Sequence, residues 1–190
     1  MVNNKILKLD ISKLLYYLPS GSVELWNKIN DASNTYDYIY SRSQYGNDKD
    51  WLIKTGKSAK IYCMNTIKDC EYPLLHTYNE KDCVGGWKFY CSKENRDDGR
   101  KAMFGVRKII LTLSGYMRAW NDSEGKYGIT NLSLGIKYDK KEDGDKIMNA
   151  IETSIFKELI ENIKWGGGKI TNHLAFKNFK NNWYEIVLEE

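Results

Sequence analysis

The sequence has 190 residues and a formal net charge of +4, with 42% hydrophobic and 28% charged residues. A chain of this length buries roughly 70% of its unfolded surface, so we expect one domain, residues 1–190, with a core of its own. The composition excludes disordered, collagen-like and coiled-coil proteins. It contains no run of about 18 apolar residues that could cross a membrane, so we expect no membrane partner.

The first zone, residues 1–35, is predicted to form a helical or extended N-terminal cap. Ile6–Leu18 is apolar and fits either a strand or a helix. After Pro19, either Ser20 or Ser22 can cap a short helix that ends near Asn30. The apolar face of this helix consists of Val23, Trp26 and Ile29.

The middle zone, residues 36–138, is predicted to consist of strands. Alternating or β-rich composition marks residues 36–40, 87–91, 106–113 and 129–138. Turn-forming residues separate these segments at 45–48, 85–86, 97–99 and 121–125. Residues 106–113 are apolar enough to be buried on both faces of a sheet.

The last zone, residues 143–185, is predicted to be helical. An apolar stripe at helical spacing runs through Asp145–Lys164, with Asp143 as the cap and Gly166–Gly168 as the stop. A second, shorter helix is predicted at about Asn172–Asn182. Strands followed by helices indicate an α+β fold, in which a mixed or antiparallel sheet is closed by two C-terminal helices.

Four cysteines, Cys63, Cys70, Cys83 and Cys91, lie within 29 residues. Their spacing lacks the paired C-x2-C elements of a zinc site, so we predict no metal. The N-terminal sequence lacks the continuous apolar segment of a signal peptide, which favours the cytoplasm. In that compartment the cysteines are expected to be reduced thiols.

The sequence lacks the common catalytic and cofactor-binding motifs. It contains no G-x-G-x-x-G after a strand, no phosphate-binding G-x-x-x-x-G-K-[ST] and no G-x-S-x-G nucleophile elbow. The two histidines are His76, which fits a packed residue of a β-like segment, and His173, which lies in a basic stretch. We therefore predict no catalytic residue and no cofactor, and favour a protein that is not an enzyme.

One alternative is a magnesium-dependent nuclease. Glu124 and Lys126, with an upstream acid such as Asp97, Asp98 or Asp122, supply the residue types that metal-dependent DNA cleavage uses. In nucleases such a Glu-x-Lys element lies on a strand, whereas here it falls in a predicted turn with Gly125 between its members. A solvated turn is the favoured interpretation.

Basic charge is concentrated in two stretches. Residues 164–180 contain four lysines and no acid, and residues 93–108 contain six basic side chains against three acids. Basic patches bind phosphate by releasing counterions, although a solvated lysine face produces the same pattern. Tyrosines and tryptophans also alternate with Lys and Arg between residues 38 and 78, which suits either unstacked bases or ordinary strand packing.

Several short motifs in order resemble a known family. They are Ser41–Tyr45, Glu71–Thr77, Lys88–Ser92, Phe104–Ile110, Glu124–Thr130, Gly144–Ile147, Phe156–Ile160, Lys164–Trp165, Phe176–Phe179 and Trp183–Tyr184. From about Thr35 onward the chain resembles the C-terminal target-recognition region of type II restriction-modification DNA adenine methyltransferases, which occur in bacteria and large DNA viruses. Arg107 departs from the pattern, because the family usually has proline there.

The resemblance implies recognition of double-stranded DNA without methyl transfer. The catalytic Asn/Asp-Pro-Pro-aromatic motif and the methyl-donor loop are missing from the chain. A separately encoded methyltransferase or nuclease subunit is the implied protein partner, and an interaction module that has lost DNA binding is a further alternative. The residues expected to contact DNA are Arg42, Lys54, Arg100, Lys101, Arg107, Lys108, Lys126, Lys169 and His173.

Overall fold

The structure is a computed structural model that describes residues 22–31, 36, 38–40, 50–95, 104–114, 117–165, 170–171 and 173–190. The chain divides into two compact units. Met1–Tyr36 and Asn149–Glu190 form the terminal unit, and Asp37–Met148 form the central unit. Helices and sheets are both present, which confirms the α+β class. Within the described residues, no helix is long and apolar enough to cross a lipid bilayer.

The described residues of the central unit form ten short strands. In chain order they are β1 (Tyr38–Tyr40), β2 (Lys54–Thr55), β3 (Ser58–Ala59), β4 (Tyr62–Cys63), β5 (Tyr72–Tyr78), β6 (Trp87–Ser92), β7 (Lys108–Thr112), β8 (Ala119–Asp122), β9 (Gly128–Ile129) and β10 (Ser133–Lys137). One antiparallel sheet has the order β1-β10-β7-β8, and a second has the order β4-β6-β5-β9. The second sheet is mixed, because β5 and β9 are parallel.

The core of the central unit uses residues from both sheets. Ile110 of β7 belongs to the same buried cluster as Leu75, Phe89 and Ile129 of the mixed sheet. All five residues of β7 are buried, as the apolar segment at 106–113 predicted. Strands that are buried on both faces read as continuous apolar runs, which is why this strand could be recognised from composition.

The terminal unit is formed by short helices packed through aromatic rings. Its elements are α1 (Val23–Ile29), α3 (Ser154–Asn162), β11 (Lys164–Trp165), β12 (Ile170–Thr171), a 3₁₀ helix (His173–Asn178) and α4 (Trp183–Leu188). The Trp183 ring stacks on Phe156 at 4.9 Å between centroids and contacts Phe179 at 5.6 Å. The backbone N–H of Lys180 donates to the carbonyl of Ile29 at 2.7 Å, which joins α1 to the C-terminal segment.

The prediction of one continuous helix through Asp145–Lys164 is wrong. Two helices, α2 (Lys141–Glu152) and α3, replace it, so Asp143 lies inside α2 and is not its cap. The break falls at Thr153, which has an extended backbone and caps α3. Its side-chain oxygen accepts a hydrogen bond from the Phe156 N–H at 3.2 Å. The apolar stripe continues through both helices, so periodicity could not reveal the break.

The second C-terminal helix, predicted at about Asn172–Asn182, is a shorter 3₁₀ helix, and α4 lies beyond the predicted segment. The 3₁₀ helix ends at Asn178, and α4 begins only at Trp183. The strand prediction at 129–138 is likewise too long, since β9 ends at Ile129 and β10 begins at Ser133. The predicted turns at 45–48 and 97–99 and the glycine stop at 166–168 lie outside the described residues.

The prediction of reduced thiols is wrong. Cys63 is bonded to Cys83 and Cys70 to Cys91, with Cα–Cα distances of 5.4 and 5.8 Å. The first bond attaches β4, through Cys63, to the loop between β5 and β6. The second attaches the loop between β4 and β5, through Cys70, to β6. Sequence spacing could not show this pairing, because it arises from the antiparallel contact of β4 with β6 and β5 with β6.

Candidate functional site

Two glycine-containing loops lie side by side at one end of the antiparallel sheet. The first glycine loop, residues 104–107, precedes β7, and the second glycine loop, residues 123–127, follows β8. Since β7 and β8 are antiparallel neighbours with Lys108 opposite Asp122, the start of one strand lies beside the end of the other. The motifs Phe104–Ile110 and Glu124–Thr130, which are part of the family resemblance, are therefore brought together.

The two loops touch through their glycines. The Gly105 N–H donates to the Gly125 carbonyl at 2.8 Å, and both residues have positive φ, +78° and +68°. A Cβ on Gly125 would lie 2.7 Å from the backbone of Gly105 and Val106, closer than real contacts allow. Gly125 is thus required both by its backbone conformation and by the close approach of the loops.

A buried ion pair lies beneath this contact. The Lys108 ammonium is 2.5 Å from the Asp122 carboxylate, and both side chains are almost wholly buried. The same carboxylate accepts from the backbone N–H groups of Lys126 at 2.8 Å and Tyr127 at 3.0 Å. The Lys108 ammonium also donates to the Val106 carbonyl at 3.0 Å. The pair therefore fixes the backbone of both loops.

The expectation that Lys108 contacts DNA is corrected by this geometry. Its side chain has no exposed surface and its ammonium is bound to Asp122. Burial lowers the pKa of Lys108, and the neighbouring Asp122 opposes that effect. Lys108 is a structural residue of the sheet. The burial of Lys108 could have been inferred from the sequence, because it lies in a segment, residues 106–113, that was predicted to be buried on both faces.

Two exposed cations flank the loop contact. The Arg107 guanidinium donates to the carbonyl of Asp139 at 3.1 Å, and the Lys126 ammonium lies 5.8 Å from the centre of the Tyr127 ring. Across the described part of the chain, neither forms an ion pair with a carboxylate. Both charges remain available to an anionic partner.

Of the other expected DNA contacts, Lys54 is the one with a described side chain, and it lies outside the two glycine loops. The Lys54 ammonium is 2.8 Å from the Asp50 carboxylate, four residues earlier in the chain. His173 is the first residue of the 3₁₀ helix of the terminal unit, and the structure describes only its backbone. The remaining expected contacts lie outside the described residues altogether; they are Arg42, Arg100, Lys101 and Lys169.

The described residues of the nuclease alternative do not assemble a metal-binding group. Glu124 is exposed in the turn after β8, whereas the Asp122 carboxylate is already bound by Lys108 and two backbone N–H groups. Asp97 and Asp98 lie outside the described residues. Within those that are described, no three His, Cys, Asp or Glu side chains are placed to hold a metal ion.

A shallow concave surface lies along Trp120–Tyr127. It encloses about 250 Å³ and includes every residue of this range except Gly125. The rings of Trp120 and Tyr127 are both half-buried and meet edge to face, 5.5 Å apart. Trp87 packs against Trp120 at 5.1 Å, and Phe89 packs against Tyr127 at 5.5 Å. Sequence reasoning missed Trp120, because only the fold brings it beside Tyr127.

His76 is a packed histidine, as predicted. Its Nδ1 lies 2.8 Å from the Thr130 hydroxyl, and its Nε2 lies 2.9 Å from the Tyr90 hydroxyl. Burial lowers the pKa of His76 to about 4, and the positive charge of Lys88 adds to the effect. A neutral ring has one donor and one acceptor, which satisfies both contacts within the mixed sheet.

Comparisons of the chain with protein-family models, with curated proteins and with solved structures find no match.

Proposed function

We propose that the chain is a recognition domain for double-stranded DNA, without methyltransferase activity of its own. The observation that supports this function best is that two exposed cations, Arg107 and Lys126, form no ion pair among the described residues and lie on two loops that are fixed to each other. Arg and Lys that contact phosphates set the position of a protein on DNA. Loops with a fixed backbone lose little backbone freedom when such charges bind a phosphate.

The resemblance to the target-recognition region supports the same function. The motifs Phe104–Ile110 and Glu124–Thr130 are separated in sequence by residues 111–123, and the pairing of β7 with β8 brings them together at the glycine contact. Because a recognition region acts with a catalytic domain, we propose a separately encoded methyltransferase or nuclease subunit as the protein partner. A protein-interaction module derived from such a domain remains the alternative when DNA does not bind.

The cytoplasm remains a proposed location, and the disulfides are the observation against it. Disulfides are uncommon in cytosolic proteins, where thiols are kept reduced. Alkylating the protein in intact cells before extraction decides the point. Four modified cysteines would place the chain in a reducing compartment, and none would place it in an oxidising one.

A titration with duplex DNA at several salt concentrations tests the proposed function. We expect binding that weakens steeply between about 50 and 200 mM salt, because counterions are released from each phosphate that the protein neutralises. Absence of binding at the lowest salt concentration would contradict the proposal. Plasmid cleavage that requires magnesium and is lost in Glu124→Ala would instead establish the nuclease.

A further inference from the structure

We infer that the concave surface along Trp120–Tyr127 binds one unstacked nucleobase together with its phosphate. The inference rests on the proposed function, in that it assumes contact with nucleic acid. It adds a site where a single base lies against the protein, beyond contacts to the outside of a paired duplex.

The size of the surface restricts the ligand. A volume of about 250 Å³ lies below the roughly 300–1,000 Å³ of pockets that hold drug-sized molecules. The surface is small and open, so it does not enclose a ligand as large as a dinucleotide cofactor. One flat ring system, partly exposed to solvent, matches these dimensions.

The aromatic rings provide a stacking platform. Trp120 and Tyr127 are half-buried, so each retains exposed surface, and their contacts with Trp87 and Phe89 restrict movement of the rings. Base stacking on aromatic side chains is a general means of holding nucleotides out of a duplex or strand. Rings that are already fixed lose little freedom when a base binds.

The charged side chains define the rest of the ligand. Glu124 is exposed, and its carboxylate can accept a hydrogen bond from the exocyclic amine of cytosine or adenine. Lys126 is exposed beside the Tyr127 ring and can contact the phosphate of the same nucleotide. The positive charge of Lys126 also repels an organic cation placed over the Tyr127 ring. The site therefore favours a nucleotide over a methylammonium ligand.

The backbone of the site is fixed from below. The Asp122 carboxylate accepts from the N–H groups of Lys126 and Tyr127, and Lys108 neutralises its charge. The turn that carries Glu124 is therefore attached at both ends, to β8 before it and to the bound N–H groups after it. The backbone of the turn is thus held in place beside the rings.

The test measures the affinity of the protein for three end-labelled duplexes by fluorescence anisotropy at a single salt concentration. The duplexes share one sequence apart from a single position. One duplex is fully paired, one has a single unpaired cytosine, and one has a single unpaired thymine. We expect the unpaired cytosine to increase affinity about tenfold over the paired duplex, since base stacking on aromatic residues contributes on that order. Thymine should give a smaller increase, because it lacks the exocyclic amine.

Two variants locate the effect. Glu124→Gln lies in an exposed turn, where folding should be unaffected, and is expected to reduce the preference for cytosine over thymine. Trp120→Ala is expected to remove the gain from either unpaired base. The matched control is Glu142→Gln, which changes the same charge at an exposed position of α2 and should leave all three affinities unchanged.

The outcomes separate the two proposals. Binding of the paired duplex with no gain from an unpaired base would overturn the inference and leave the proposed function intact. Binding only of the duplexes with an unpaired base would support the inference and contradict recognition of paired DNA. No binding of any duplex would overturn both. A gain that survives unchanged in both Trp120→Ala and Glu124→Gln would place the base elsewhere.

Discussion

Lys108 and Lys126 are similar in sequence context, since each follows a glycine motif, but their surroundings are opposite. Lys108 faces a carboxylate in the sheet interior, whereas Lys126 lies at the surface beside an aromatic ring. Both were expected to contact DNA because the resemblance implies DNA binding and both are basic residues within its motifs. The difference depends on the register of β7 and β8, which places Lys108 opposite Asp122.

Gly125→Ala is predicted to destabilise the protein and to weaken DNA binding. The substitution requires an unfavourable φ and places a Cβ 2.7 Å from backbone atoms of the first glycine loop. Gly56→Ala is the matched control, because Gly56 has a similar φ of +63° but no atom within 4 Å of the added Cβ. Urea unfolding should show a loss of about 1 kcal/mol for Gly56→Ala, from the backbone alone, and a clearly larger loss for Gly125→Ala. Equal losses would mean that the close contact of the loops is not maintained in solution.

His76 predicts a pH dependence of stability. Its pKa falls from 6.5 to about 4 on folding, because burial disfavours the charged ring. The stability that this group contributes is complete above pH 6.5 and is lost as the pH falls towards 4, because only the unfolded chain is readily protonated in that range. The shift corresponds to about 3 kcal/mol. Urea unfolding of the native protein and of His76→Gln from pH 7 to 4 isolates this contribution. Parallel curves for the two proteins would contradict the burial of a neutral ring.

At the scale of elements, the sequence predicted the strands of the core better than the helix boundaries. Residues 87–91 and 106–113 were recognised because β-branched, aromatic and apolar residues follow each other at strand spacing. The break at Thr153 was missed, since capping depends on local hydrogen bonds that the apolar pattern does not record. The pairing of the cysteines was missed for a related reason, because strand register determines which cysteines meet.

The disulfides are predicted to stabilise the central unit. Cys63 and Cys83 close a loop with a sequence separation of 20, for which loss of chain entropy in the unfolded state suggests about 3 kcal/mol. The double variant Cys63→Ser/Cys83→Ser should therefore unfold at lower urea concentration than the native protein under oxidising conditions. A reductant should lower the midpoint of the native protein further, because it also opens Cys70–Cys91. If the reductant leaves the midpoint unchanged, the bonds do not contribute to the folded state.

At the scale of the whole molecule, length, composition and the order of predicted elements were sufficient for the α+β class. They did not predict the division into two compact units. The terminal unit combines residues from both ends of the chain, and contacts between such distant segments leave no periodic pattern in a single sequence. Part of the candidate site could be predicted from the sequence, namely Gly105, Gly125 and Lys126. The carboxylate that organises it, Asp122, was considered only as a metal ligand.

The central claim is that Arg107 and Lys126 present positive charge to DNA from loops fixed by the glycine contact and the buried ion pair. The direct measurement is the salt dependence of duplex binding for the native protein and for Arg107→Gln/Lys126→Gln. Lys81→Gln, an exposed lysine of the β5–β6 loop, is the control for loss of charge. Each phosphate contact contributes about 0.9 to the slope of log affinity against log salt. We predict that the double variant binds more weakly and that its slope is smaller by about 2, with Lys81→Gln unchanged. A double variant with the native affinity and slope would contradict the account.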